Sequence, residues 1–363
     1  MDDALRYDRF GHLRSVLHGA SLPDAGEWWQ LLLGLCETEH AVDPEHFKES
    51  WIPYMSASSV LRRPWPVTLH SLAQFLLVSQ LIPRAPLHVS FSFGGEPSLK
   101  AVLSHEQSDR LMSLYCNGSV MTEDASVAIA TAFVRKESLP LLERLQLRNM
   151  RLGDAFARCV AQATCFTSLR SLDLSGNALG EEGIQALTDA PWVANLSSLS
   201  LSQGQLDLAA LSQLASSHGM QGLRELDLSF LRLGSGGVVA LLVASWLKSL
   251  RALNLSGNEL GVRGVQHLVG EAPERASCLQ VRRLNLGYNA IGSEGALMLA
   301  KSECFPHLEQ LELWGNQIDD EGAFALVTSP NFPRLRRLAI RTNAISMEGW
   351  FELSRVNPTL TLT

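Results

Sequence analysis

The residues of this 363-residue chain that could carry catalytic chemistry are scattered rather than clustered. His40 and His46 bracket Asp43 and Glu45, which are ligand types for a divalent metal. That stretch reads as a solvated loop, whereas a metal site needs ligands converging from fixed elements. Ser235-Gly236-Gly237 puts a hydroxyl in a glycine-rich turn, but equivalent places elsewhere in the chain also hold glycine, so a turn between two elements is the expected role. The cysteines at 36, 116, 159, 165, 278 and 304 form no C-x-x-C pair and read as reduced interior fillers. The sequence has no G-x-x-x-x-G-K-[ST], no G-x-S-x-G and no H-E-x-x-H. No catalytic, cofactor-binding or metal-binding residue is therefore expected, and the chain is read as a non-enzyme.

What does recur at fixed spacing is a frame for side chains. The pattern L-x-x-L-x-L-x-x-N-x-L-G restarts at Leu142, Leu169, Leu196, Leu223, Leu250, Val281, Leu308 and Leu335, at intervals of 27 residues except for 31 before Val281. A degenerate earlier copy is carried by Leu111, Leu114, Cys116 and Met121, and Leu360 with Leu362 reads as a shortened last strand. A fixed period of this size means stacked units, none of which can bury its own apolar face alone.

Within each unit, an alternation such as Leu226-Asp227-Leu228 is the period of a strand buried on one face. A turn and a helical stretch follow, as in Gly295–Ala300 and Gly322–Leu326. Acidic residues (Glu181, Glu182, Glu294, Asp319, Asp320, Glu321, Glu348) stand where the positive end of a helix dipole favours them. Strands linked by helical crossovers of one hand must be parallel. Strands stack about 4.8 Å apart and helices need about 10 Å, so the helical layer fans outward and the sheet lines the concave side.

The segments Leu169–Leu179, Leu250–Leu260, Val281–Ile291 and Leu308–Ile318 resemble leucine-rich repeats. The Gly180-Glu181-Glu182-Gly183 turn that follows is similar to the ribonuclease-inhibitor-like subfamily. The resemblance implies an α/β fold: a curved leucine-rich-repeat solenoid with a concave parallel sheet and convex helices, used as a binding scaffold. Asn177, Asn258, Asn289, Asn316 and Asn343 fill the repeat's Asn position, where their amides can bond turn groups of adjacent repeats. Met150, Gly204 and Leu231 interrupt that ladder, so irregularity is expected around residues 200 to 235.

Residues 1–86 do not repeat and are expected to form a helical N-terminal cap domain for the solenoid of residues 87–363, since an open stack exposes apolar ends. They hold Trp28, Trp29, Trp51 and Trp65, with helices expected over Glu27–Leu35 and Val67–Leu81 and breaks at the prolines. A Trp-rich head followed by 27-residue repeats resembles bacterial leucine-rich-repeat proteins. A strand is expected over Leu87–Phe93, ending at a Gly94–Pro97 turn. The polar stretch Glu271–Ser277 reads as a protruding loop.

Function must then lie on the concave face. The alternation points Ser171, Asp173 and Ser175, Ser198, Ser200 and Ser202, and Glu225, Asp227 and Ser229 away from the core, giving a small and polar middle. The C-terminal third differs. Trp314 occupies a place that is Ser or Gly in most units, the next column brings Phe230 and Tyr288, and Arg283, Glu312, Arg337 and Arg341 lie around them. Exposed aromatics and arginines together are the usual anchors of protein interfaces. Trp314 could instead fill space over Gly287 and Gly315. A second stripe, Arg170, Arg224, Arg251, Arg282 and Arg336, is expected to be a solvated rim.

The partner is thus expected to be a protein bound by Trp314, Tyr288, Phe230, Arg283, Glu312, Arg337 and Arg341. A net charge of −7 argues against nucleic acid, no apolar run is long enough for a membrane span, and the Met-Asp-Asp start argues against a secretory leader. A cytoplasmic monomer without cofactor is expected. The alternatives are a GTPase-activating type of regulator, which would need a singled-out polar loop residue, and an effector or ubiquitin-ligase adaptor, although residues 67–81 lack an F-box pattern.

Overall fold

The computed structural model describes residues 67–69, 87–92, 96–118, 121–270 and 279–363. The chain divides into two compact units, Met1–Leu87 and His88–Thr363. In the first, Val67–Leu69 form a short strand, β1, where a helix was expected to begin. Val67 and Thr68 are β-branched and favour extended backbone. The tryptophans of the head, the helix expected at Glu27–Leu35, His40, His46, Cys36, Cys278 and the Glu271–Ser277 loop lie outside the described residues.

The second unit is the curved solenoid that the repeats imply. β2 (Leu87–Ser92) leads into the longest strand, β3 (Leu111–Asn117), which belongs to the degenerate first copy. Then follow β4 (Arg144–Arg148), β5 (Ser171–Asp173), β6 (Ser198–Ser200), β7 (Glu225–Asp227), β8 (Ala252–Asn254), β9 (Arg283–Asn285), β10 (Gln310–Glu312), β11 (Arg337–Ala339) and β12 (Thr361–Leu362). Strands β2 to β12 lie side by side in chain order, and every pairing from β3 to β12 is parallel. The register repeats without a slip: Leu114, Leu145, Leu172, Leu199, Leu226, Leu253, Leu284, Leu311, Leu338 and Leu362 form one row.

Each strand from β2 to β11 is followed by a helix, and consecutive helices pack on one another: α1 (Glu96–Ser104), α2 (Glu123–Arg135), α3 (Asp154–Val160), α4 (Glu181–Asp189), α5 (Leu208–Ser216), α6 (Gly234–Leu242), α7 (Gly261–Val269), α8 (Gly292–Lys301), α9 (Asp320–Thr328) and α10 (Met347–Val356). Glu96 and Pro97 open α1 rather than closing a turn, since proline's fixed φ suits the first helical turn. The core lies between the sheet and these helices. Leu145, Leu226 and Leu311 from the strands are buried with Ile184, Leu214 and Leu299 from the helices. At the return to the sheet, Phe133, Phe166 and Trp192 form an aromatic row with centroids 5.2 and 5.3 Å apart.

The expected irregularity near residues 200 to 235 does not occur: β6 and β7 hold the common register. The direction of the Asn ladder explains why. Each Asn accepts from the preceding repeat, so Asn177 receives the amides of Met150 and Leu152 (3.1 and 3.0 Å), and Asn258 receives that of Leu231 at 2.9 Å. A repeat lacking its own Asn is thus served by the next one. In the Gly204 repeat, whose successor carries Leu231 at that place, the amide of Gln205 still ties the turn to the carbonyl of Asn177 at 3.2 Å.

The four cysteines within the described residues are free thiols. Cys116 fills its inward leucine place, and burial pushes its thiol up to about 12. Burial likewise raises Cys165 to about 11.

Candidate functional site

The concave surface is built by three strand positions per repeat and by the turn residue that follows them. In the middle of the face these side chains are satisfied by one another. The Asp173 carboxylate accepts from Arg148 Nε at 2.6 Å and from the Ser175 amide at 3.0 Å, and Ser175 Oγ shares hydrogen bonds with Ser200 and Ser202 at 2.8 and 3.0 Å. Asp227, Asn254 and Asn285 each accept from the amide two residues on, at 2.9, 3.1 and 2.9 Å. These groups brace their own turns. Their small neighbours leave a shallow groove of about 380 Å³ between β4 and β10, floored by residues such as Ser198, Ser200, Asp227 and Asn254.

The turn position that follows holds Asn149, Gly176, Gln203, Phe230, Gly257, Tyr288, Gly315 and Thr342, and all eight have positive φ between 53° and 70°. A left-handed residue is needed there to turn the chain out of the sheet, and glycine takes it without the steric cost that other residues bear. Three of the non-glycine residues cover a glycine in the next repeat: Asn149 over Gly176, Phe230 over Gly257 and Tyr288 over Gly315.

At the C-terminal end this packing becomes reciprocal. Gly287-Tyr288 in one repeat meets Trp314-Gly315 in the next. Trp314 lies over Gly287, where a Cβ would come within 2.9 Å of the indole, while Tyr288 lies over Gly315. The two rings meet edge to face, with centroids 4.5 Å apart and planes at 89°. The Trp314 indole N–H donates to Glu312 at 3.3 Å. Trp314 is thereby half-buried, whereas Tyr288 keeps 48% of its surface exposed. Trp314 fills space over Gly287 and at the same time props up an exposed tyrosine.

The charges around this pair are of two kinds. Arg283 reaches across Ala252 on β8 to an ion pair with Glu225 on β7, so its charge is already matched. Arg337 and Arg341 are exposed and, among the described residues, meet no carboxylate within ion-pair distance. Arg337 is in register with Gln310, and the Arg341 carbonyl accepts from the Gly315 amide at 3.3 Å, which seats Arg341 beside Trp314. The structure therefore brings Tyr288, Trp314, Glu312 and Arg341 together, with Arg337 farther along the neighbouring strand. Phe230 stands two strands back over Gly257, and Arg283 is turned toward the middle of the face.

Three arginines of the outer stripe serve their own rim. Arg170 donates to the carbonyl of Asn195 at 3.2 Å, Arg224 to those of Gln221 and Leu223 at 3.2 and 3.0 Å, and Arg282 pairs with Glu309 at 3.3 Å. The residue types suggest Trp314 over Gly287, but not the reciprocal Tyr288 over Gly315. Its signal is the dipeptide Gly287-Tyr288 recurring one period later in reversed size order as Trp314-Gly315. Among the described residues no group of three or more His, Cys, Asp or Glu side chains could hold a metal ion, and no helix is long and apolar enough to cross a membrane.

Comparison with known proteins agrees with this architecture. The leucine-rich repeat family model matches residues 167–187, 247–269, 278–300 and 306–327. No curated protein matches the chain. Among solved structures, the chain aligns with one from the Rad7 and Elc1 complex of yeast at 16% identity and a TM-score of 0.53, covering 100% of this chain and 97% of that one. An internalin (inlF) of Listeria monocytogenes aligns at 16% identity and a TM-score of 0.44, covering 84% of this chain and 74% of that one. A chain of the TLR13–ssRNA13 complex aligns at 18% identity and a TM-score of 0.42, covering 82% and 37%. The repeats, their register and the full-length alignment define the second unit as a leucine-rich-repeat solenoid.

Proposed function

We propose that the chain is a non-enzymatic protein-interaction scaffold of the ribonuclease-inhibitor-like, bacterial type, a cytoplasmic monomer that holds a protein partner against its concave sheet. Residues 1–86 would cap the stack and residues 87–363 would do the binding. The partner site is the C-terminal third: Trp314, Tyr288, Phe230, Arg283, Glu312, Arg337 and Arg341.

One contrast carries this reading. The middle of the face satisfies its polar groups internally, whereas the C-terminal end offers a half-exposed tyrosine held rigid by a tryptophan, with two unmatched arginines beside it. Rigid aromatics bury much area on binding at small entropic cost, and arginines add directional hydrogen bonds.

The test is site-specific photo-crosslinking in the full chain within cells. A photoreactive phenylalanine derivative at position 288 should give a discrete protein adduct. The same group at Val243, which is exposed at the end of α6 on the helical side, should not. Adducts from position 243 alone, or equally from both, would overturn the assignment to the concave face.

A further inference from the structure

The segment Arg334–Arg341 holds four arginines (Arg334, Arg336, Arg337 and Arg341) and no acidic residue, in a chain whose net charge is −7. All four are exposed. On the preceding repeat Glu309 pairs with Arg282 at 3.3 Å and Glu312 accepts the Trp314 indole N–H, and neither forms an ion pair with these arginines. Elsewhere on the concave face, Arg148 and Arg283 are matched by Asp173 and Glu225. The β11 stripe is thus a concentrated positive charge left unmatched, with its Arg341 end seated against the Trp314–Gly315 turn and Arg337 opposite Gln310.

From this charge pattern we infer the chemistry of the partner, resting on the interaction role proposed above: the occupant is an acidic protein segment with an apolar or aromatic side chain between its carboxylates. The apolar group lies against the Tyr288 and Trp314 rings while flanking carboxylates take the forked donors of Arg337 and Arg341. A nucleic-acid strand would also bring negative charge, but its backbone would run past Glu312, Glu225 and Asp227 on the same face. Those groups repel phosphates strung along the whole face, whereas a short acidic segment can confine its carboxylates to β11.

The experiment uses the full chain labelled with ¹⁵N-tryptophan, the Trp314 indole signal being identified by its loss in Trp314→Phe. Three capped peptides are titrated, Glu-Glu-Phe-Glu-Glu, Gln-Gln-Phe-Gln-Gln and Lys-Lys-Phe-Lys-Lys, together with octa-uridylate. The acidic peptide should shift the Trp314 signal at concentrations about tenfold below the neutral one, and the basic peptide should leave it unmoved. Arg337→Gln with Arg341→Gln should remove that advantage while the other indole signals hold their positions. Arg170→Gln, on the self-satisfied rim, should not.

Equal binding of the neutral peptide, or an acidic advantage that survives the double substitution, would overturn the acidic segment while leaving the protein-docking role standing. Tighter binding of octa-uridylate through the same arginines would overturn both. Failure of every probe to move Trp314 would overturn the acidic segment, and the crosslink at position 288 would then decide the docking role separately.

Discussion

Tyr288 and Trp314, one repeat apart, each stand over a glycine contributed by the other's repeat, and their rings meet edge to face at 4.5 Å. The pair is a lock between two adjacent units as well as a surface feature. An edge-to-face pair contributes about 1 kcal/mol beyond its buried area, so stability and recognition are coupled here.

That coupling can be separated by a mutant cycle. Gly315→Ala places a methyl group against Tyr288 and forces a side chain into positive φ, and should destabilise by about 2 kcal/mol in denaturant unfolding. Adding Tyr288→Ala should recover the crowding component and leave the backbone component, giving a clearly non-additive cycle. Additive losses would mean that the ring swings away freely and braces nothing.

Trp314→Ala should lower stability by about 1 kcal/mol, since the indole is half-buried, and should weaken partner binding by about 2 kcal/mol if Trp314 is a central anchor. Ser198→Ala, in the small polar middle, should do far less to binding. Calorimetry of the complex beside thermal unfolding of the free protein separates the two effects, and an unchanged affinity would make the tryptophan purely structural.

Asn289 is fully buried and donates to the carbonyls of Leu255 and Leu286 at 2.9 and 3.0 Å while accepting from the amides of Asn258 and Leu260 at 2.9 and 3.3 Å. Asn289→Ala leaves these buried groups without partners and should cost roughly 3 kcal/mol. Asn343→Ala, at a less buried turn, should cost less. Equal losses in equilibrium unfolding would contradict the ladder as the source.

Asp319 caps α9 by accepting from the Gly322 amide at 3.0 Å, and that hydrogen bond, followed by the one with Ser293, holds its carboxyl below the usual 3.8. A folded-state value below the unfolded one means that the charged cap stabilises fully above about pH 3.8. The contribution is lost as pH falls through the lowered value. Asp319→Ala should therefore lower the melting temperature by an amount worth about 1 kcal/mol at neutral pH, with the gap to the parent closing in acid. A gap that widened in acid would reverse the sign of the argument.

Much of the fold was legible in the residues because its period is enforced by burial. A leucine at most inward strand places and a glycine or acid at most helix starts leave one way to stack the units, and even the degenerate copy at Leu111–Cys116 and the short strand ending at Leu362 fall into the common register. The contrast in residue types between the two parts of the concave face was likewise visible in the sequence alone. Tertiary structure decided what depends on contacts between repeats. It turned each Asn toward the preceding unit, so that the amides of Met150 and Leu231 are accepted by the next repeat. It spent Arg283 on Glu225 across an intervening alanine and left Arg337 and Arg341 unmatched. It also fitted Tyr288 and Trp314 into each other's glycines. One-dimensional spacing places a side chain on a face, but which neighbour it meets is set by the lean of each ring and guanidinium across a strand gap of about 4.8 Å, a distance that the linear chain does not contain.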